Sequence, residues 1–154
     1  MKFVTKAAIG AFALTLSGLP AFAQSAEDGA TVFQRQCQNC HNIVDDSGEV
    51  LAGRPNMRTG PNLYGVVGRQ AGIIDGFRYG DDLVSAGAEA GLVWSEEELI
   101  AYLQDPRGYL REKLDNNRAR SQMAFQVRSE SDAADVAAYL ATFGASEAEE
   151  APAG

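Results

Sequence analysis

Apolar and polar positions change their rhythm several times along this chain. A largely apolar run, Ala7 to Leu19, follows Lys2 and Lys6 and is ended by Pro20. Gly29, Phe33 and Cys37 then recur at i, i+4 and i+8 behind Ser25-Ala26-Glu27-Asp28, which offers a cap and first-turn acids. That spacing predicts a helix over about 27–38. From Asn42 to Gly76 no period survives, and glycine, proline, asparagine and arginine punctuate the stretch. A loop of that length is unusual in a compact domain unless it wraps something. Ser95-Glu96-Glu97-Glu98 is a capping box, and Leu99, Ile100, Tyr102 and Leu103 follow at helical spacing until Pro106 ends the helix. Leu110 and Leu114 suggest a further short amphipathic turn. Ser129 or Ser131 caps a last helix with Val136, Tyr139, Leu140 and Phe143 as its apolar stripe, and Gly144 is placed to stop it. Apart from the short stretch Gly65-Val66-Val67 no strand is convincing, so the predicted architecture is all-α, three to five helices with long loops.

The first apolar run changes the picture most when its flanks are included. Two lysines, a run too short for a full span of about 20 residues, and Ala21-Phe22-Ala23 as a small-x-small cleavage site read as a secretory leader. The expected plan is a leader at 1–23 that is removed, a single domain at 24–144, and an acidic, disordered tail at 145–154. Taking two lysines from a chain of net charge −8 leaves −10, with Lys113 the one remaining lysine among ten arginines. So acidic a chain argues against nucleic acid and anionic lipid as partners. No later segment is apolar enough to cross a membrane.

Candidate chemistry is concentrated in Cys37-Gln38-Asn39-Cys40-His41, which holds both cysteines and the single histidine of the chain. C-x-x-C-H is the attachment signature of a c-type haem. Each thiol can add across one vinyl group, and the adjoining histidine falls under the iron as an axial ligand. Zinc wants four Cys/His ligands, or three plus water, in a geometry that five residues cannot readily supply. A thiol–disulfide oxidoreductase needs only the two thiols, and a structural disulfide needs no more. An exported chain suits each of these last readings as well as it suits haem.

A second axial ligand has to come from elsewhere, and no second histidine exists. Met57 lies in a polar segment between Pro55 and Arg58. Met123 lies in Ser121-Gln122-Met123-Ala124-Phe125, a non-helical stretch between two helices that can lie across the opposite haem face, which makes it the stronger candidate. Met123 as a plain core residue, with the sixth iron position open, is the alternative.

Taken in order, several motifs resemble those of class I c-type cytochromes, in the branch of the bacterial cytochromes c2 and mitochondrial cytochrome c. They are Gly29-x-x-x-Phe33, Cys37-x-x-Cys40-His41, Gly60-Pro61-Asn62-Leu63, Gly68-Arg69, Gly76-Phe77-Arg78-Tyr79, Gly91-x-x-Trp94, Tyr102-Leu103-x-x-Pro106-x-x-Tyr109, Met123-x-Phe125 and Ala138-Tyr139-Leu140. The resemblance runs from Gly29 to Phe143, and the longer loop between Tyr109 and Met123 is similar to that of the larger bacterial members. It implies a class I cytochrome c fold around one covalent haem. It implies thioethers on Cys37 and Cys40, axial ligation by His41 and Met123, and a Pro61 carbonyl that accepts from the outer His41 nitrogen. Arg69, Tyr79, Trp94 and Ser121 match positions that hold buried propionates, Tyr102 one near the methionine sulfur, and Phe125 one that shields the haem edge. Gly29 and Phe33 would meet Val136 and Tyr139 where the first and last helices cross.

Those implications amount to a monomeric, soluble periplasmic one-electron carrier, not an enzyme. Its implied donor is a cytochrome bc1-type complex or a periplasmic dehydrogenase, and its acceptor a terminal oxidase or photosynthetic reaction centre. One departure is plain: the family's docking ring of lysines has only Lys113 here, and Arg35, Arg54, Arg107, Arg111, Arg118, Arg120 and Arg128 are the candidates to replace it. The competing readings are a haem sensor or small-ligand enzyme with an open sixth site, and the haem-free dithiol oxidoreductase.

Overall fold

Ser25 opens the first helix, α1 (Ala26–Val32), by accepting the Asp28 amide on its hydroxyl at 3.1 Å. Glu27 and Asp28 sit in the first turn, where a helix end favours negative charge. The computed structural model describes residues 24–144; the predicted leader at 1–23 and tail at 145–154 lie outside the described residues. The helix does not continue as one α-helix to residue 38. Past Val32 it widens into a π-turn, Phe33–Cys37, closed by the Gln38 amide on the Phe33 carbonyl at 3.0 Å.

A short antiparallel hairpin follows, β1 (Asn42–Val44) with β2 (Val50–Gly53), pairing Asn42 with Gly53 and Ile43 with Ala52 and bulging before Val44. This corrects the expectation that residues 42–76 are mostly loop with no convincing strand outside Gly65-Val66-Val67. The turn is organised by Asp45, whose carboxylate accepts from the Ser47 amide and hydroxyl and from the Glu49 amide. The stretch Gly65-Val66-Val67, by contrast, forms turns and no strand.

The second correction is α2 (Asp81–Ala88), which the apolar pattern does not reveal. Its buried residues are Ala86 and Gly87, too small to mark a stripe, and its N-cap is Gly80, which has no capping side chain. Then α3 (Glu96–Gln104) begins where Ser95 accepts the Glu98 amide, and α4 (Pro106–Lys113) begins where Asp105 accepts the Gly108 amide. Pro106 thus starts a helix as well as ending one, as proline at the first helical position can. Ser129, not Ser131, caps α5 (Glu130–Ala141), and Gly144 turns beyond its end with φ +60°.

Among the described residues the fold is five α-helices, one hairpin and long loops, all-α in its main layers. α1 crosses α5, and α3 lies against the same helix. Phe33 is fully buried at the crossing with its ring 5.8 Å from that of Tyr139, and Tyr139 meets Phe143 edge-on at 4.9 Å. Ser25 and Gln36 of the first segment each hydrogen-bond α5, to Asp135 and Asp132. Gly29 makes the crossing possible, because a Cβ there would lie 2.0 Å from the Asp135 carbonyl oxygen and 2.7 Å from Tyr139 Cβ. Gly29→Ala gains helix propensity of about 1 kcal/mol, but overpacking against backbone costs more. We expect a net loss of about 2 kcal/mol, read as a melting point roughly 5–10 °C lower. An unchanged melting point would show that the helices can separate at little cost.

Candidate functional site

The π-turn ends at Cys37, and the chain then folds onto it. The Cys40 and His41 amides both donate to the Cys37 carbonyl, at 3.0 and 2.9 Å. This curl sets two free thiols and an imidazole side by side in sequence, with Cys37 half-buried and Cys40 exposed. Burial, reinforced by the neighbouring Cys40, pushes the Cys37 thiol up to about 11. A dithiol that exchanges disulfides works through a thiol lowered to about 7 or below. The Cys37 environment does the reverse, which disfavours that chemistry.

His41 is held from behind. Its Nδ1–H donates to the Pro61 carbonyl at 2.9 Å, which leaves Nε2 as the nitrogen free to bind a metal. Burial lowers the His41 pKa and the Pro61 bond opposes it, which favours the neutral ring that a ligand needs. Gly60 lies flat against the imidazole: a Cβ there would fall 2.4 Å from Cε1 and 2.6 Å from Nδ1. The 60–63 segment is fastened alongside the pentapeptide by Gly60 N on the Cys40 carbonyl at 2.7 Å and Leu63 N on the Asn42 carbonyl at 2.9 Å.

Asn62 ties this support to the hairpin. Its side-chain oxygen accepts from the Val44 and Tyr64 amides, and its nitrogen donates to the Val44 carbonyl at 2.7 Å. The Asn62 backbone carbonyl in turn accepts from Arg69, which also donates to the Tyr64 carbonyl at 2.6 Å. Two arms of the Arg69 guanidinium therefore brace the loop. Burial pushes the Tyr79 phenol up, and the nearby Arg69 charge only partly opposes that push. The Arg69 and Trp94 backbones are linked too, Trp94 N donating to the Arg69 carbonyl at 2.9 Å.

Trp94 belongs to a second cluster, built on α3 and the loop before α5. Its ring meets Tyr102 edge-on at 5.0 Å and stacks on Tyr109 at 6.2 Å. Tyr102 is only 8% exposed, and its hydroxyl bonds Ser121 Oγ at 2.9 Å. Ser121 Oγ also accepts the Met123 amide at 3.1 Å. Met123 is half-buried against the core, while Phe125, two residues on, is 48% exposed. At the outer end the Tyr109 hydroxyl donates to Glu98, which pairs with Lys113 at 2.5 Å. Met57 stands apart, on the loop that runs from β2 into Gly60, where its sulfur receives the Thr59 hydroxyl at 3.9 Å.

The structure thus gathers Cys37, Cys40, His41 and Pro61 into one group and Trp94, Tyr102, Ser121 and Met123 into another, with Arg69 and Tyr79 beside them and Phe125 outermost. Asn62, a polar anchor of this arrangement, has no signal in the apolar pattern. Among the described residues no group of three or more His, Cys, Asp or Glu could hold a metal ion unaided. Two free thiols followed by a neutral imidazole, with a flat glycine face against that ring, do fit a haem attached through sulfur.

The comparisons agree. The family described as Cytochrome c matches residues 26–144. Cytochrome c2 of Rhodovulum adriaticum is 58% identical over 113 residues, covering 73% of this chain and 88% of that one. Cytochrome c2 of Cereibacter sphaeroides is 50% identical over 145 residues, covering 91% and 95%. Among solved structures, cytochrome c2 from Rhodobacter sphaeroides superposes with a TM-score of 0.74 at 47% identity, covering 78% of this chain and 96% of that one. The cofactor of such a chain is a covalently attached c-type haem. From Ala26 to Gly144, in fold as in sequence, this chain belongs to the cytochrome c family, in the class I branch with the cytochromes c2.

Proposed function

We propose that this mono-haem electron carrier works in the periplasm, after loss of residues 1–23. It carries one electron at a time as a soluble monomer and is not an enzyme. Its donor is a bc1-type complex or a periplasmic dehydrogenase, and its acceptor a terminal oxidase or photosynthetic reaction centre. Cys37 and Cys40 would hold the haem through thioethers, and His41 Nε2 and the Met123 sulfur would bind its iron. The haem, when bound, supplies an iron that alternates between ferrous and ferric.

The observation that carries this reading is the His41 ring, engaged at Nδ1 by Pro61 and backed by Gly60 directly after two free thiols. The Pro61 bond fixes the tautomer and strengthens the imidazole as a donor. A thioether as the second iron ligand would favour the reduced state relative to a second imidazole. Trp94 and Tyr102 keep that side dry, and a buried site disfavours the extra charge of the ferric form. Ser121, fixed by Tyr102, accepts the Met123 amide and limits the freedom of the Met123 backbone. Arg107, Arg118, Arg120 and Arg128 are exposed around the Met123 loop. They supply the positive docking face that lysines give elsewhere in the family, and they serve encounter rate more than affinity.

The test is an absorption spectrum, oxidised and reduced, of the wild type and Met123→Ala. The wild type is expected to show a c-type spectrum with the weak far-red methionine–iron band, and the variant to lose that band while keeping its haem. A wild type without the band that readily binds carbon monoxide would be an open-site sensor or enzyme. A protein without haem would leave the dithiol.

A further inference from the structure

We propose that the first turn of α2 sets the position of the methionine loop, with Asp82 as a positioning residue for the sixth ligand. The inference rests on the assignment of Met123 to the iron. Three successive residues ahead of that methionine are held from two sides. Asp82 Oδ2 accepts the Arg120 amide at 2.8 Å, across 38 residues of sequence. Ser121 is held by Tyr102 of α3. Gln122 returns to α2, its side chain lying over Gly80, where a Cβ would come within 3.1 Å of Gln122 Cγ.

Upstream, the chain is fixed by the fully buried Ala119, and downstream by the Val127 amide on the Leu103 carbonyl at 2.9 Å. Between them, among the described residues, the Arg120–Asp82 bond is the one hydrogen bond that ties the backbone of residues 120–126 to another element. Its acceptor is a carboxylate, and charge-assisted bonds are the stronger kind. Losing the bond therefore raises the population in which the loop swings away with its methionine. An external ligand that competes for the iron reads this population directly, because its apparent affinity scales with the open fraction.

The experiment titrates the oxidised holoprotein with imidazole, following loss of the far-red band, in wild type, Asp82→Ala, Asp82→Asn and Asp81→Ala. Asp82→Ala is expected to raise the apparent imidazole affinity about tenfold. Asp82→Asn keeps an acceptor oxygen and is expected to restore most of the wild-type value. Asp81→Ala removes the same charge from the same helical turn without touching the loop, and is expected to stay within about twofold of wild type. Amide exchange at Arg120 is expected to speed up in Asp82→Ala alone. This readout depends on the hydrogen bond and not on the iron.

Equal affinity gains in Asp81→Ala and Asp82→Ala would reduce the effect to helix charge and overturn the proposal. So would unchanged Arg120 exchange in Asp82→Ala. A wild type lacking the far-red band would overturn the Met123 assignment, and this role with it. A wild type with the band whose imidazole affinity ignores Asp82 would overturn the Asp82 role alone.

Discussion

Gly60→Ala is expected to lower the melting point by roughly 10 °C or more and to cut the fraction of chains that carry haem. The added methyl would lie 2.4 Å from His41 Cε1 and 2.6 Å from Nδ1. No flexible side-chain end can yield there, because the obstacle is the imidazole ring itself. Either the ring swings off the Pro61 carbonyl, or the 60–63 segment lifts off the pentapeptide and breaks Gly60 N to Cys40 O at 2.7 Å. Overpacking of this kind costs about 1–3 kcal/mol before any bond is lost, and a broken buried hydrogen bond adds about 1 kcal/mol. Gly76→Ala is the matched comparison. Gly76 has φ +77° and open space around it, so alanine there bears only the cost of its backbone conformation, about 1 kcal/mol. Thermal melts and intact-mass spectra of the two variants separate steric from conformational cost. Equal losses in both would sink the argument for contact with the ring.

The second large effect is expected at Asn62. Asn62→Ala removes three side-chain hydrogen bonds at once and strands the Val44 amide and carbonyl. At about 1 kcal/mol per bond the loss is about 3 kcal/mol, and it falls on the join between hairpin and histidine support. Amide exchange at Val44 and Tyr64 should accelerate together, while exchange within α5 stays slow. Asn62→Asp sharpens the test. It keeps an oxygen for the two amides but turns an acceptor toward the Val44 carbonyl, so it should do no better than alanine. An Asn62→Asp variant as stable as wild type would show that shape, not hydrogen bonding, is what matters at this position.

How much of this is legible in the sequence depends on how far each interaction reaches. Ser25 and Ser95 can be read as caps because a cap bonds an amide three residues on, within one local pattern. The Cys37–His41 curl is local for the same reason. The hairpin is not legible. Its strands of three and four residues are too short to alternate, and Asn62 pins it from 18 residues away. α2 escapes the pattern because helix prediction looks for large apolar side chains, and this helix buries Ala86 and Gly87. The partnering of Asp82 with Arg120 spans the rest of α2, two further helices and the loops between them, and no periodicity records it. Tyr102, Trp94 and Pro61 stand out through resemblance to a family. Their residue types alone would pass for ordinary core aromatics and a turn proline.

The widened turn at Phe33–Cys37 has a further consequence for how the first segment is phased. An α-helix advances about 100° per residue, so one additional residue absorbed in a wide turn rotates everything after it by about that angle. The α-helical part, with Gly29, takes its bearing from α5, and the π-turn, which still touches α5 through Phe33 and Gln36, sets the bearing of Cys37, the residue proposed to hold the cofactor. A straight helix would lock those two bearings together, so that any change in how α1 seats on α5 would swing the thiols as well. The π-turn acts as an angular offset between them. Shortening the π-turn by one residue would leave the Gly29 contact with α5 in place and turn Cys37 by about 100°.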